Sequence, residues 1–279
     1  MIAVPEVTLE EVAVATKGAD LAGLAIAAAG AVSPCEWGGV IAATFSNPDR
    51  FPSLAVRVAG ELGLPAAVPA FDLQMACSAY PYALSLAANL SAATGKRVLV
   101  IDGDVQTPLV DPQDHATGAI FSDAVTATAV SADPGARSEF DFLSRYDTAL
   151  ACPAAGPIRM DGFQVFSFVA TEVSRFLRDF IGSVGSADSG LRSPDFFFAP
   201  HQAQPYMVRQ LARSLELEER LVTIDAALKN PGSASIAMAL AANAERLRGG
   251  RALVAGFGAG YSAAAGFVKL APDFKGVFV

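Results

Sequence analysis

From Ala83 to Asp104 the chain reads ALSLAANLSAATGKRVLVIDGD, and from Ala237 to Gly258 it reads AMALAANAERLRGGRALVAGFG, an ungapped offset of 154 residues. Nine of the 22 columns are identical. The matches combine a small apolar helix face (Leu86, Ala87, Ala88 and Asn89 against Leu240, Ala241, Ala242 and Asn243) with a following strand (Arg97, Leu99 and Val100 against Arg251, Leu253 and Val254). Duplication explains both economically. The same offset sets Cys77 on Pro231, beside Asn230, so two chemically capable residues precede equivalent helices.

Outward from this repeat, hydrophobic patterning predicts a helix over 8–30, a strand over 38–45, a helix over 52–63 and a strand over 67–72. Helix 79–93 and strand 97–102 follow. The second half is read as helix 162–181, strand 195–199, helix 205–215, strand 221–224, helix 234–247 and strand 251–257. Strands alternating with helices, and apolar throughout, point to parallel sheets covered by helices. Residues 131–160, with SADPGARSE and CPAAGP, read as the irregular join, dividing the chain into halves 1–133 and 134–279.

Hydrophobic residues make up 52% and charged residues 17%, enough to bury a large sheet system. The net charge of −8 supplies no basic stripe, which argues against nucleic acid as a partner. The N-terminus lacks a cationic segment followed by an apolar run, and no apolar stretch is long enough to span a bilayer. Cys35, Cys77 and Cys152 form no metal-ligand spacing, so no metal is expected, and their odd number fits a reducing cytoplasm better than a disulfide framework.

Cys77 lies between a strand and the first turn of a helix, where unpaired N–H groups and the helix dipole favour a negative sulfur. A small buried hydrophobe is the competing reading, and it is the one given to Cys35 and Cys152. His201 follows FFFAP at a strand's carboxyl end, where open α/β sheets place their sites; a hydrogen-bonded structural histidine is the alternative. His115, in a polar turn, reads as solvated. Asn230 precedes Pro231 and Gly232, and a plain helix cap is its simpler reading. Two facing halves would bring Cys77, His201 and Asn230 together.

The motifs FPSLA (51–55), FDLQMACSAYPYAL (71–84), VLVIDGD (98–104), MDGFQVFSF (160–168), PHQAQ (200–204), NPGSASIAMAL (230–240) and GFGAGYSAAAGFVKL stand in one order. In that order the chain resembles the thiolase superfamily, and within it the β-ketoacyl-acyl carrier protein synthase III branch. The resemblance implies an α/β thiolase-like duplicated fold with two pseudo-dyad-related halves in α/β/α/β/α layers. It implies Cys77 as acyl acceptor, with the backbone N–H groups of Cys77 and Ala259 as oxyanion hole. His201 and Asn230 become the pair that assists decarboxylation of a malonyl thioester. Phe51 is similar to the aromatic that crosses a dimer interface, Phe166 to a wall of the pantetheine tunnel, and Gln204 to the end of the HQAN motif. No cofactor is implied; acyl-CoA or acyl carrier protein is substrate, and the partner chain is an identical copy or a related ketosynthase.

The chain departs from the branch in several places. No counterpart of a first strand, or of a Trp- and Arg-bearing loop for the coenzyme A adenine, precedes Thr8, and Trp37 belongs to another segment. Pro205 and Tyr206 stand where a basic residue commonly receives the carrier protein. SDAVTA (122–127) replaces a glycine-rich loop, and GAG (258–260) replaces GGG. The leading expectation is a decarboxylating ketosynthase of a specialised fatty-acid or polyketide pathway. The alternatives are transfer of the Cys77-bound acyl group to a non-carbon nucleophile, or a non-catalytic subunit beside an active ketosynthase.

Overall fold

Residues 8–30, expected as one helix, divide into a strand, β1 (Ile2–Ala15), and a helix, α1 (Leu21–Ala31). The computed structural model describes residues 1–154, 156–184 and 193–279. Val7, Leu9, Val12 and Val14 are buried because β1 is an interior strand, covered on both faces, so an apolar run replaces the alternation of a half-exposed strand. Asp20 then starts α1, its carboxylate accepting the Gly23 N–H at 2.7 Å. A strand therefore does occupy the segment before Thr8. Trp37 is buried where β2 begins, with the Arg97 guanidinium 5.8 Å from its ring centre.

The first half continues with β2 (Trp37–Ala43), α2 (Leu54–Glu61), β3 (Ala70–Leu73), α3 (Ala79–Thr94), β4 (Arg97–Asp104), the short α4 (His115–Gly118) and β5 (Ala124–Ser144). The small hairpin β6 (Leu150–Ala151) and β7 (Arg159–Met160) leads to α5 (Gly162–Phe168), which passes through a π-helical turn into α6 (Ser174–Val184). The chain closes with β8 (Phe196–Pro200), α7 (Pro205–Ser214), α8 (Ala234–Ala242), α9 (Ala244–Leu247), β9 (Arg251–Gly258) and β10 (Ser262–Phe278).

Eight strands join in the order β3-β2-β4-β5-β1-β10-β9-β8. The sheet is mixed rather than parallel: β2 pairs β3 and β4, β8 pairs β9 and β1 pairs β10 in parallel, whereas every pairing of β5, and that of β9 with β10, is antiparallel. The expected irregular join begins inside β5. Its Asp133-Pro134-Gly135 sequence sits in a bulge, where pairing with β1 jumps from Pro5↔Arg137 to Glu6↔Asp133. Beyond it β5 resumes and pairs Phe140–Ser144 with Gly266–Ser262 of β10. The strand runs unbroken through the expected boundary at 133/134.

Residues 221–224, expected as a strand, make a single bridge of Leu221 to Phe198. Three-residue 3-10 turns on either side, at Glu218–Arg220 and Ala226–Leu228, leave no room for a ladder, and the Asn243 amide donates to the Thr223 carbonyl instead. The helix expected over 234–247 breaks at Asn243, whose amide also turns back onto Ala239 O.

Side-chain parity along the strands produces the layers. Val98 and Val100 of β4, with Ala252 and Val254 of β9, face a core containing α3 and α8. Leu99 and Ile101 face α1 and α2 on one outer side, and Leu253, Ala255 and Phe257 face α5, α6 and α7 on the other. The result is a layered α/β/α/β/α fold. β4 and β9 begin and end at residues 154 apart, matching the sequence repeat.

Candidate active site

Cys77 sits in the one-turn 3-10 helix Ala76–Ser78 that leads from β3 into α3. Ala76 has φ 43°, a left-handed conformation costly for a residue with a Cβ, and it turns the next side chain out of the helix start. The approach is close. A Cβ added to Gly258 would stand 3.0 Å from the Cys77 sulfur, and one added to Gly256 would stand 2.7 Å from Ser78 Cα. Glycine at both positions of β9 lets the nucleophile turn lie against the strand.

Cys77 is buried, and burial pushes its thiol up to about 11. The N–H groups of Ala259 and of Cys77 itself oppose that shift, while the Asp104 and Asp102 carboxylates add to it. Both N–H groups therefore lie near enough to the sulfur to favour its thiolate. Ala259 lies between Gly258 (φ 154°) and Gly260 (φ 67°), and the positive φ values there fall on these glycines and on Tyr261 (φ 45°), not on Ala259. Alanine at 259 is thus free of strain. SDAVTA likewise contains no positive φ, so it follows a course that needs no glycine.

His201 follows directly on β8, its N–H donating to Ala255 O at 2.7 Å. Its Nδ1 lies 2.8 Å from Ser235 Oγ, which also accepts the Gln202 N–H at 3.0 Å. The Ser235 hydroxyl keeps a proton it can donate to Nδ1, and in that tautomer the neutral ring carries its proton on Nε2. Burial lowers the His201 pKa to about 4, against a smaller opposing contribution from the Gly232 backbone, so the ring is neutral near pH 7. Asn230 is held by its backbone: its N–H donates to Ile120 O, and its carbonyl accepts from Ser122 N, each at 3.0 Å. Its Oδ1 accepts the Gly232 N–H at 2.9 Å, which leaves the side-chain NH2 as the outward group.

Cys77, His201 and Asn230 line one cavity of about 390 Å³, together with Phe166, Gln204, Phe257 and Gly258. Phe166 stacks on Tyr206 at 6.3 Å, and Gln204 caps α7 by accepting the Met207 N–H. Cys77 also borders a second cavity of about 850 Å³ that includes Phe45, Met75, Leu150, Cys152, Ile158 and Ala259. Phe51 belongs to neither. It is 86% exposed, on the loop before α2. His115 opens the short helix α4, away from Cys77, and borders a separate cavity.

Sequence reading passed over Asp102 and Asp104, both fully buried at the end of β4. Asp104 Oδ1 accepts from Thr44 Oγ1 at 2.7 Å and from the N–H groups of Phe45 and Ser46 at 2.8 and 3.0 Å, but Oδ2 has no partner. Neither Asp102 oxygen makes a hydrogen bond. Ser233 lies close enough to favour the charged form, yet its hydroxyl is unpartnered too, and burial holds the Asp102 pKa well above the usual carboxylate range. Comparing register positions across the repeat could have found them, because charged residues at the end of an apolar strand stand where the second copy has glycine. Among the described residues no group of three or more His, Cys, Asp or Glu side chains could hold a metal ion, and no helix is long and apolar enough to cross a membrane.

Residues 71–145 match the family 3-oxoacyl-(acyl-carrier-protein (ACP)) synthase III, and residues 187–270 match its C-terminal counterpart. A beta-ketoacyl-(acyl-carrier-protein) synthase III 2 of Streptomyces coelicolor is 36% identical over 233 residues, covering 79% of this chain and 69% of that protein. The chain belongs to this family. It is accordingly an acyltransferase of the synthase III type. The fold superposes on a 3-oxoacyl-(acyl-carrier protein) synthase from Burkholderia xenovorans with a TM-score of 0.88, over 100% of this chain and 98% of that one at 23% identity. A priming beta-ketosynthase from a polyketide biosynthetic pathway superposes with a TM-score of 0.75 at 28% identity, covering 90% and 81% of the two chains.

Proposed function

We propose that this synthase III condenses an acyl group carried on Cys77 with a malonyl thioester. The observation that carries the reading is the cavity shared by Cys77, His201 and Asn230, with the Cys77 and Ala259 N–H groups near enough to the sulfur to favour its thiolate. Cys77 loses its proton and attacks the acyl thioester carbonyl. The N–H pair holds the oxyanion until the donor's C–S bond breaks and its thiolate leaves, taking up a proton. The malonyl thioester then occupies the same cavity. Loss of CO2 leaves the electron pair as an enolate, whose oxygen accepts from His201 Nε2–H and the Asn230 NH2. The enolate carbon attacks the acyl-Cys77 carbonyl, a carbon–carbon bond forms, and the Cys77 thiolate departs from the β-ketoacyl product.

The neutral state of His201 supports this division of labour, since a donor that stays neutral adds no proton-transfer step to decarboxylation. The presence of His201 and Asn230 beside Cys77 favours condensation over transfer to a non-carbon nucleophile. In the same reading the chain is a cytoplasmic enzyme without a prosthetic group, built of two pseudo-symmetric halves, and acyl carrier protein presents at least the malonyl donor. A second copy receives the exposed Phe51. The test is intact-protein mass spectrometry after incubation with acyl-CoA and acyl-carrier-protein donors, followed by malonyl-carrier protein. An acyl mass on Cys77 that disappears as β-ketoacyl product forms supports condensation. An acyl mass indifferent to the malonyl donor supports the transferase alternative, and no mass with any donor rejects both.

A further inference from the structure

The oxyanion hole draws its two donors from different halves of the chain: Cys77 from the turn before α3, and Ala259 from the turn between β9 and β10. Both turns are strained. Ala76 and Tyr261, neither of them glycine, hold φ values of 43° and 45°, and such conformations persist only where surrounding contacts over-determine them. The two turns are joined by one side-chain link. Ser78 Oγ and Ser262 Oγ are buried and 2.7 Å apart, Ser262 Oγ lies 3.0 Å from Ala259 O, and Ser78 Oγ lies 2.9 Å from Met75 O.

Two hydroxyl protons must serve these three contacts. Met75 O already accepts the Ser78 N–H at 3.2 Å, so it does not depend on the hydroxyl. The arrangement that puts a proton in the 2.7 Å contact between the two hydroxyls and leaves neither carbonyl bare has Ser78 donating to Ser262, and Ser262 donating to Ala259 O. A chain of two hydrogen bonds then runs from the residue after the nucleophile to the residue that supplies the second oxyanion donor.

We infer that Ser78 and Ser262 are positioning residues that set the separation of the Cys77 and Ala259 N–H groups. The inference rests on the proposed role of that N–H pair. Loss of the link lets the turns drift apart, and a donor displaced by a fraction of an ångström loses much of its value in the transition state while substrate still binds. His201 and Asn230 lie outside the link, so the enolate oxygen keeps its donors.

The experiment measures single-turnover acylation of Cys77 by mass spectrometry, with CO2 release from malonyl-carrier protein on chain already acylated, for wild type, S262A, S78A and S262T. In S262A and S78A the maximal acylation rate should fall about 10- to 100-fold with half-saturation by acyl-CoA within about twofold of wild type. CO2 release should change less than threefold, and S262T, which keeps the hydroxyl, should restore acylation to within about threefold. S78A offers the second view if S262A folds poorly. Acylation unchanged in both alanine variants overturns the inference while leaving the proposed function standing. Acylation and CO2 release falling by one factor, with no rescue by S262T, also overturns it, because a general structural role behaves that way. A wild-type chain that takes no acyl group overturns the inference and the functional reading together.

Discussion

At the end of β9, Gly256 and Gly258 face the turn that carries Cys77. At the equivalent end of β4, 154 residues earlier, the same register positions are Asp102 and Asp104, which belong with the start of α8, where Gly232 and Ser233 stand. Where the strand has no side chains, the opposing turn brings backbone and sulfur into contact with it. Where the strand carries carboxyls, the opposing turn is stripped instead: Gly232, at φ 65°, would place a Cβ 3.5 Å from Asp104 Oδ2 and 3.2 Å from Gln106 Nε2. The two corners exchange volume between strand and turn. The exchange leaves one with an addressed thiol and the other with an amide, Asn230, whose oxygen is tied back and whose NH2 is free.

The largest expected effect separates the corners outright. Cys77→Ala should abolish the acyl adduct, whereas His201→Ala and Asn230→Ala should still be acylated at rates within a few-fold of wild type. Labelling of the Cys77→Ala protein at another residue would end the distinction. Next, the two alanine variants at the second corner should release CO2 from malonyl-carrier protein about 100-fold more slowly, in line with loss of one oxyanion donor. The pH profile sharpens this point. With His201 titrating near 4, CO2 release by pre-acylated protein should be flat from about pH 5.5 to 8.5, while acylation rises with pH toward the Cys77 value near 11. A fall in CO2 release centred near pH 6.5 would mean that the ring is not held neutral by burial.

Smaller effects follow from the exchanged residues. Gly258→Ala should slow acylation about tenfold by crowding the sulfur, and Gly256→Ala, which meets the backbone of Cys77 and Ser78, should cost about 1–3 kcal/mol of stability in denaturant unfolding. The mildest change is at Asp102. Its folded pKa is raised, so the folded state prefers the protonated form; stability is complete below the unfolded value near 3.8 and is lost as pH rises above it. Asp102→Asn should therefore raise the melting temperature by a few degrees near pH 7.5 and make no difference near pH 3.5. A variant less stable than wild type at pH 7.5 would show that the charged carboxylate is accommodated.

Much of the scaffold was legible because burial leaves a local imprint. The repeat predicted α3, β4 and β9 within a few residues, and FFFAP marked β8, since continuous apolar runs bounded by polar turns have few other uses. The N-terminal segment and residues 131–144 were misread for different reasons: β1 is an interior strand covered on both faces and so lacks alternation, whereas the exposed Asp133-Pro134-Gly135 bulge of β5 looks like a loop. Cys77, His201 and Asn230 stood out as strand-end and helix-start residues. Their assignment to roles came from the family resemblance, and neither route pointed to Asp102, Asp104, Ser78, Ser235 or Ser262.

By itself the sequence determined the kind of protein this is: a duplicated α/β chain of the synthase III family, with a cysteine at one helix start and an asparagine at its counterpart. Hydrophobic period, repeat and motif order are properties of neighbours along the chain, and sequence records them directly. Only the tertiary structure decided that Asn230 turns its NH2 outward, that Ser235 holds the His201 ring, and that Ser78 meets Ser262. Hydrogen bonds join groups 34 and 184 residues apart in those last two cases. The first depends on how the end of β8 meets α8 and the second on how the turn before α3 meets the turn between β9 and β10, and no local pattern encodes either.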